Sequence, residues 1–570
     1  MAMEPIDFTE TACFETTKRL LTQLVNEGLL HAYLYHPKIG RGYALSLRGS
    51  YSVEVPTKPT SVTIHVKPEA CLHAKANRIL PILRPEYLEP PVFLELDNGD
   101  TIHETDPGKI FRSIYTWFAP DSLEVAVVET IAHELSTTAL NQSKSNPSHC
   151  GLLLVARPDC SVTEKWLQLH ANQRPLLLDS PAIAWEQCII YGHPSHPDFL
   201  VPELSLVSVP RADLRVNGPF ELLLTPLLQK LNVQTVAEDR VIVPCFTKQL
   251  PSIERCFPGA VRVASIVDGA DAQTSMRSVV LRAHLGTSYI LKMSLAYRIT
   301  SAVRTIASSI IPEVVFMSGF LEEMLPPDLW IYREVAGVTG SGDDLDDARQ
   351  ISCIIREDLE PRAIANGQTL IVAAALYQRP ANSDRTYAEI IFGLDTWDMK
   401  IAWFQRYIEG LCDAVLPPLA NYGIALEAHA QNIVLRVSRD RAELRGFAVR
   451  DWGGVRLHKP TLQKLGIQLP MVDAESPVVT NDLDHIWSKF HQVFLQNHVA
   501  SILIALGLES KGGWAIVRDE LSRVLSGNDS DAGPSLLKYL LADDMQMRCF
   551  FTARLQGKPS VVSFHPHGHQ

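Results

Sequence analysis

The sequence predicts an α+β fold spread over two to four subdomains, and three observations carry that expectation. At 570 residues the chain exceeds what one hydrophobic core normally holds. Apolar residues recur at helical spacing near the N-terminus and again from Trp397 onward, with short alternating stretches between them. A hairpin at 423–454 then sets polar residues at the ends of two apolar runs.

In chain order, Leu20, Leu21, Leu24, Val25 and Leu29 mark an amphipathic helix within the first 50 residues. TSVTIHV (60–66) and PPVFLEL (90–96) alternate like strands, and the pattern turns helical from about Pro107 to Leu140. The polar, breaker-rich stretch 141–150 is a subdomain boundary. VIVPCF (241–246), RSVVLRAHL (277–285) and SYILKMSL (288–295) read as strands, and GSGDDLDDARQ (340–350) as an exposed acidic loop that starts a helix. From Trp397 the chain is mainly helical apart from the hairpin, with Ile401, Phe404, Ile408, Leu411 and Val415 on one face. Residues 525–535 form a solvated loop, and the His-rich FHPHGHQ end is expected to be disordered. No internal repeat is present. The subdomain boundaries expected from this pass are 1–145, 146–395 and 396–570.

Composition narrows the function classes. Hydrophobic residues at 46% and charged residues at 20% are ordinary for a globular chain. The net charge of −12 argues against nucleic acid or an anionic membrane as partner, because both need clustered Lys and Arg. The acidic start, MAMEPIDFTETACFETTKRLL, does not read as a signal peptide, and no run approaches the roughly 18 apolar residues of a membrane span. Ten scattered cysteines without a CxxC pair read as reduced thiols, so a cytoplasmic enzyme is expected.

Within the hairpin, Glu427, His429, Gln431 and Asn432 precede one apolar strand, and Arg450 and Asp451 end the next. An Asn and an Asp at the two ends of a hairpin can point oxygens at one Mg²⁺, which otherwise coordinates waters and phosphates. That pattern suggests a nucleotide-phosphate site, and no Walker-type glycine loop offers another route to ATP. A second candidate is LKMSLAYRITSAVRTI (291–306): Lys292 on a strand, Thr300 or Ser301 capping a following helix, and Arg304 about one turn inside it. There the Arg304 fork could clamp phosphate or carboxylate, or both cations could simply face solvent.

A third segment, WEQCIIYGHPSHPDF (185–199), holds two His–Pro dipeptides that stiffen a loop and could aim His193 and His196 at an anion. Zinc is disfavoured there, since no third ligand is in view, and a structural turn is the plain alternative. The fourth is DAQTSMRSVV (271–280), where Ser275 and Arg277 alternate on a strand edge and could hold phosphates or a polycarboxylate, or line a solvated face.

Together these segments resemble the IucA/IucC family, synthetases that build siderophores without peptide synthetases. The resemblance rests on Glu186-Gln187, the GHPxHP loop 192–197, the K-x-S-L-x-x-R-I-T-x-x-x-R run from Lys292 to Arg304, E-A-H-x-Q-N at 427–432 and R-D-W-x-G at 450–454. Weaker echoes occur at Arg356-Glu357, Trp403-Phe404, Arg406-Tyr407 and Asn497-His498. The family resemblance implies a cupped hand of thumb (1–145), fingers (146–395) and palm (396–570), the palm carrying a kinase-like nucleotide and Mg²⁺ hairpin, and a homodimer. It implies an AMP-forming ligase that takes ATP and Mg²⁺, activates a citrate-like carboxylic acid and passes the acyl group to an amine or alcohol.

By the same resemblance Lys292, Arg304 and His429 are the catalytic set, and Ser275, Arg277, Lys292, Thr300, Arg304 and Asn432 bind ATP and its phosphates. His193, His196, Thr300, Arg304 and His429 contact the acid, and Glu427, Asn432 and Asp451 hold Mg²⁺. Two departures point to an altered acid or nucleophile, in siderophore or related specialised metabolism. Leu200, Pro202 and Glu203 stand where basic residues and glycine usually follow the GHPxHP loop. The segment 243–249 lacks the family's His and Trp. The rivals are a kinase-like phosphotransferase, weakened because Glu427 and His429 occupy the place of its base, and a non-catalytic nucleotide-binding relative.

Overall fold

The structure is a computed structural model that describes residues 9–566, except 37–41, 50–58, 69, 71, 73, 76, 80–81, 120–122, 145–176, 189–199, 235–236, 276, 288, 300–301, 381–382, 470–475, 477, 528–531 and 559–560. Strands and helices are mixed throughout, and the chain divides into two compact units: 1–150 with 542–570, and 151–541.

In the first unit the expected amphipathic helix runs Thr9–Asn26 and buries Leu20, Leu21, Leu24 and Val25. It packs with a seven-stranded antiparallel sheet whose central strands are Leu30–Tyr35, Tyr43–Gly49, Pro59–Val66 and Leu88–Leu96. The helical stretch after Pro107 is two helices, Pro107–Ile114 and Val125–Lys144. Asp106 caps the first by accepting from Lys109 N, and Pro107 occupies the position where a missing N–H costs nothing. The C-terminal residues return to this unit. Glu27 accepts from Phe551 N (2.8 Å) and Thr552 N (2.7 Å), capping the helix Phe550–Leu555. The end expected to be disordered instead begins as a strand, Val562–Pro566, because it pairs along its length with Asp544–Arg548. Residues 567–570 lie outside the described residues.

The second unit is built on a six-stranded antiparallel sheet, ordered Ala270–Ala272, Ser278–Leu281, Tyr289–Met293, Cys353–Glu357, Glu334–Gly340 and Leu214–Asn217. A second sheet contains the expected hairpin, Ile433–Ser438 against Leu444–Val449, flanked by Gln368–Val372 and Trp330–Ile331. Behind it lies the long helix Trp397–Tyr422, opened by a Thr396 cap that accepts from Met399 N. Gly423 stops that helix at φ +67°, where a Cβ would sit 2.7 Å from the His458 Cβ, so only glycine turns the chain into the hairpin here. Helices Leu483–His491, Ala500–Ala505 and Gly513–Ser526 complete the core, with a π-helical segment, Gln492–Val499, between the first two.

Two further expected elements differ. The strand expected over 277–285 covers only Ser278–Leu281 and is followed by a 3-10 turn, Ala283–Leu285. Residues 302–304 are not helical: Ala302–Arg304 is a strand paired back onto Leu295–Ile299. The run is rich in β-branched Ile, Thr and Val, which favour a pleated strand over a helix start. The next helix begins only at Ile310.

Candidate active site

Sheet register brings the first group together. Lys292 and Ile290 lie two apart on one face of their strand, Ile290 sits opposite Arg356, and Arg356 sits opposite Glu334. Opposed residues share a face, so Lys292, Arg356 and Glu334 point to the same side. Lys292 Nζ donates to Asp451 Oδ1 at 2.7 Å and to Glu334 Oε1 at 3.3 Å, and Arg356 Nη2 donates to Glu334 Oε1 at 2.7 Å. Asp451 reaches this cluster because it follows the hairpin's second strand in a left-handed conformation, φ +73°. Burial alone would raise the Asp451 carboxyl, but Lys292, Arg356 and Arg277 together hold it well below the usual carboxylate range.

Two further guanidiniums join. Arg277 and Ser275 lie in the turn between Ala270–Ala272 and Ser278–Leu281, not alternating along a strand. The turn is tied by Ser278 N donating to Ser275 Oγ at 3.2 Å. Arg277 is largely buried, donates to Thr305 O at 2.9 Å, and feels Asp451, Arg304, Glu334 and Arg356. Burial and the neighbouring cations Arg304 and Arg356 lower its pKa. Arg304 enters from the strand Ala302–Arg304, not from the first turn of a helix, so the expected helix-end anion site is replaced by a hairpin carrying a cation. Neither Arg277 nor Arg304 has a carboxylate partner among the described residues. Four cations thus face two carboxylates, an excess that a polyphosphate or polycarboxylate balances.

The hairpin supplies the remaining groups. Asn432 Nδ2 donates to Glu427 Oε2 at 3.4 Å, its amide oxygen has no partner among the described residues, and Lys489 Nζ approaches Glu427 Oε1 at 3.3 Å. Gly454 has no side chain where the Glu427 carboxylate lies; a Cβ there would collide with it. Burial lowers the His429 pKa, with Lys489 adding to the effect against Glu427. Gln431 N donates to His429 Nδ1 at 3.2 Å, so the neutral ring carries its proton on Nε2.

Two struts fix this loop. Arg450 is buried and grips Glu186 in two-point fashion, its Nη2 also donating to Thr274 Oγ1 (3.0 Å) and Gln431 O (2.7 Å). Against the cost of burial, Glu186 raises the Arg450 pKa. On the other side His498, presented by the π-helical segment, donates from Nδ1 to Ala428 O at 2.9 Å and accepts from Tyr407 Oη at 2.5 Å. Burial drives its pKa down to about 4.

Ser275, Arg277, Lys292, Arg304, Glu427, His429, Asn432 and Asp451 all belong to the second unit. His193, His196 and Thr300 lie outside the described residues. Glu334 and Lys489 were not expected from sequence: Glu334 has no motif, and only three-dimensional register reveals it. Of the departing residues, Glu203 pairs with Arg262 at the surface (3.1 Å). Cys245 is a buried strand residue whose thiol burial pushes up to about 12. Gln249 is buried and accepts from Ala296 N at 2.7 Å, holding the Lys292–Arg304 segment.

Glu427, Asn432 and Asp451 offer hard oxygen donors, which suit Mg²⁺. The carboxylate of Asp451 stays ionised and the missing Gly454 side chain admits the Glu427 carboxylate, so the donor chemistry of the set fits the metal. Among the described residues no three His, Cys, Asp or Glu side chains converge on one point, so substrate oxygens would have to complete the coordination.

Residues 225–378 match the IucA / IucC family and 401–560 match the ferric iron reductase FhuF-like transporter family. Among the described residues no helix is long and apolar enough to cross a membrane. The chain is 40% identical over 583 aligned residues to the NRPS-independent siderophore synthetase-like protein ankE of Aspergillus thermomutatus, covering 97% of this chain and 92% of that protein. It is 29% identical to the NRPS-independent siderophore synthetase rfs of Rhizopus delemar, covering 62% and 61% of the two chains. The solved petrobactin biosynthesis protein AsbB of Bacillus anthracis shares the fold at TM-score 0.73 and 14% identity, covering 98% of this chain and 95% of that one. The ATP-bound aerobactin synthetase IucA of Klebsiella pneumoniae does so at TM-score 0.68 and 15% identity, covering 98% of each.

Proposed function

The chain belongs to the IucA/IucC family of NRPS-independent siderophore synthetases, ATP-dependent carboxylate ligases, and we propose that it works through an acyl-adenylate. In this reading a carboxylate oxygen of the acid attacks the α-phosphorus of ATP, the bond to the β-phosphate breaks, and pyrophosphate leaves. An amine or alcohol then attacks the acyl carbon, and AMP departs with the carboxylate oxygen.

The observation that carries the reading is the cation excess around Lys292. Negative charge accumulates at the α-phosphorus during the attack, and preorganised cations in a partly buried site stabilise it more than water can. Lys292 and Arg277 would hold the β- and γ-phosphates, with Ser275 at the turn. Arg304, which has no carboxylate partner among the described residues, would bridge the α-phosphate and the substrate carboxylate. His429 would donate from Nε2 to an oxygen of either. Glu427, Asn432 and Asp451 would hold Mg²⁺, which would supply Lewis-acid neutralisation of the phosphate charge. By the family resemblance, His193, His196 and Thr300 would also contact the acid. The thumb, fingers and palm arrangement, with its kinase-like hairpin, and the homodimer belong to the same proposal.

The acid or the nucleophile is expected to differ from the usual one, because Leu200, Pro202 and Glu203 stand where basic residues and glycine usually follow the GHPxHP loop. A pyrophosphate-release screen across citrate, 2-oxoglutarate, other carboxylic acids, amines, amino acids and alcohols tests the reading. Release that requires an acid supports it. ADP as the nucleotide product would favour a phosphotransferase, and no turnover with any pair a non-catalytic relative.

A further inference from the structure

Glu334 has no role in the reaction as described, yet it is 0% exposed and carries a full carboxylate into the cation cluster. Its placement is specific. The strand Glu334–Gly340 pairs Ala336 with Ile355 and Glu334 with Arg356, so one extra residue, Val335, is bulged out between them. In an unbroken register Val335 would face Arg356 and Lys292, and the Glu334 side chain would point to the opposite face. The bulge therefore turns a carboxylate, rather than a valine, toward Lys292. Ser318 pins the bulged backbone from the helix Ile310–Glu322: its hydroxyl accepts from Glu334 N (3.2 Å) and donates to Glu334 O (3.0 Å).

The carboxylate is only half used. Oε1 takes both Lys292 Nζ and Arg356 Nη2, while Oε2 is buried and has no partner among the described residues. Arg356 Nε is likewise unpartnered. A buried carboxylate oxygen left without a donor is costly and calls for a reason. Lys292 stands between a short contact to Asp451 and a long one to Glu334. A polyphosphate entering the cluster competes with Asp451 for the same ammonium, whereas Glu334, buried beneath it and fixed by Arg356, does not move away.

We propose that Glu334 is a positioning residue that aims Lys292 at the polyphosphate and takes Lys292 over from Asp451 when the anion binds. The proposal rests on the nucleotide reading of this cluster and deepens it. Glu334 acts through Lys292, so the two should be coupled rather than independent.

The test measures MgATP affinity by calorimetry on the full chain, for the wild type, E334Q, K292M and the double variant, with melting curves alongside. E334Q is expected to weaken binding by about 10-fold or more in the native background and by less than about 3-fold in the K292M background. Equal factors in both backgrounds, or no effect in either, would overturn the proposal and leave the adenylation reading standing. E334D keeps the charge on a shorter arm and is expected to fall between wild type and E334Q; it carries the same cycle if E334Q does not fold. A wild type that binds no MgATP would overturn both.

Discussion

Lys292 and Asp451, 159 positions apart in the chain, meet at 2.7 Å where the six-stranded sheet faces the end of the hairpin. That contact joins two of the motifs into one site. Asp451 reaches it only because its backbone adopts φ +73° after the strand Leu444–Val449, an uncommon conformation for a residue with a side chain. The same residue is proposed to share the metal with Glu427 and Asn432, so the phosphate cations and the metal end are built around one carboxylate.

Arg304 gives the cleanest functional probe, since it has no carboxylate partner among the described residues. Arg304→Ala is expected to cut kcat/KM for pyrophosphate release by roughly 100-fold or more, the scale of losing a charge aimed at the transition state. The melting temperature should stay close to wild type. Full turnover by this variant would contradict the assignment.

The Glu186–Arg450 pair behaves differently, because both groups are buried and a lone survivor is strongly penalised. Arg450→Met leaves the Glu186 carboxylate without its main partner, at a cost of about 3–5 kcal/mol. For a unit of this size that lowers the melting midpoint by roughly 5 °C. Differential scanning calorimetry checks it, and an unchanged midpoint would show that the strut does not hold the fold.

Which parts of this were legible in the sequence follows from how local each feature is. Helical spacing gave Thr9–Asn26 and Trp397–Tyr422, because each buries an apolar face, and alternation gave Pro59–Val66, where Val62, Ile64 and Val66 share one face although Ser61 and Thr63 on the other are buried as well. The helix expected after Thr300 failed for a local reason too: Lys292 and Arg304 were read as strand and helix, but the β-branched run between them pairs back on itself. Glu334 was beyond reach, since a bulge between two strands decides which side chain enters the site. Arg356 and His498 were visible only as weak echoes, and their work depends on partners far along the chain, Glu334 and Tyr407.

Stability should carry a pH signature from His498. Its pKa is about 4 in the folded chain because burial disfavours the imidazolium, against about 6.5 unfolded. Protonation therefore favours the unfolded state: the contribution is complete above about pH 6.5 and is lost as pH falls toward 4. At pH 5 the loss relative to pH 7 is about 2 kcal/mol. Denaturation of wild type and H498N at the two pH values reads it out, as a stability gap that narrows on acidification. A gap independent of pH would contradict the buried neutral ring.

The metal assignment predicts that Asp451→Asn raises the Mg²⁺ concentration for half-maximal pyrophosphate release by roughly 10- to 100-fold. Glu427→Gln should shift the same titration in the same direction. A normal Mg²⁺ titration in both variants would remove these residues from the metal set.

The acyl-adenylate itself is tested most directly by following oxygen. An acid that supports pyrophosphate release is prepared with ¹⁸O in its carboxylate and turned over with ATP and its nucleophile, and the nucleotide product is weighed by mass spectrometry. The account predicts AMP that carries one ¹⁸O from the acid, formed together with unlabelled pyrophosphate. Label in inorganic phosphate beside ADP, or AMP free of label, would contradict it.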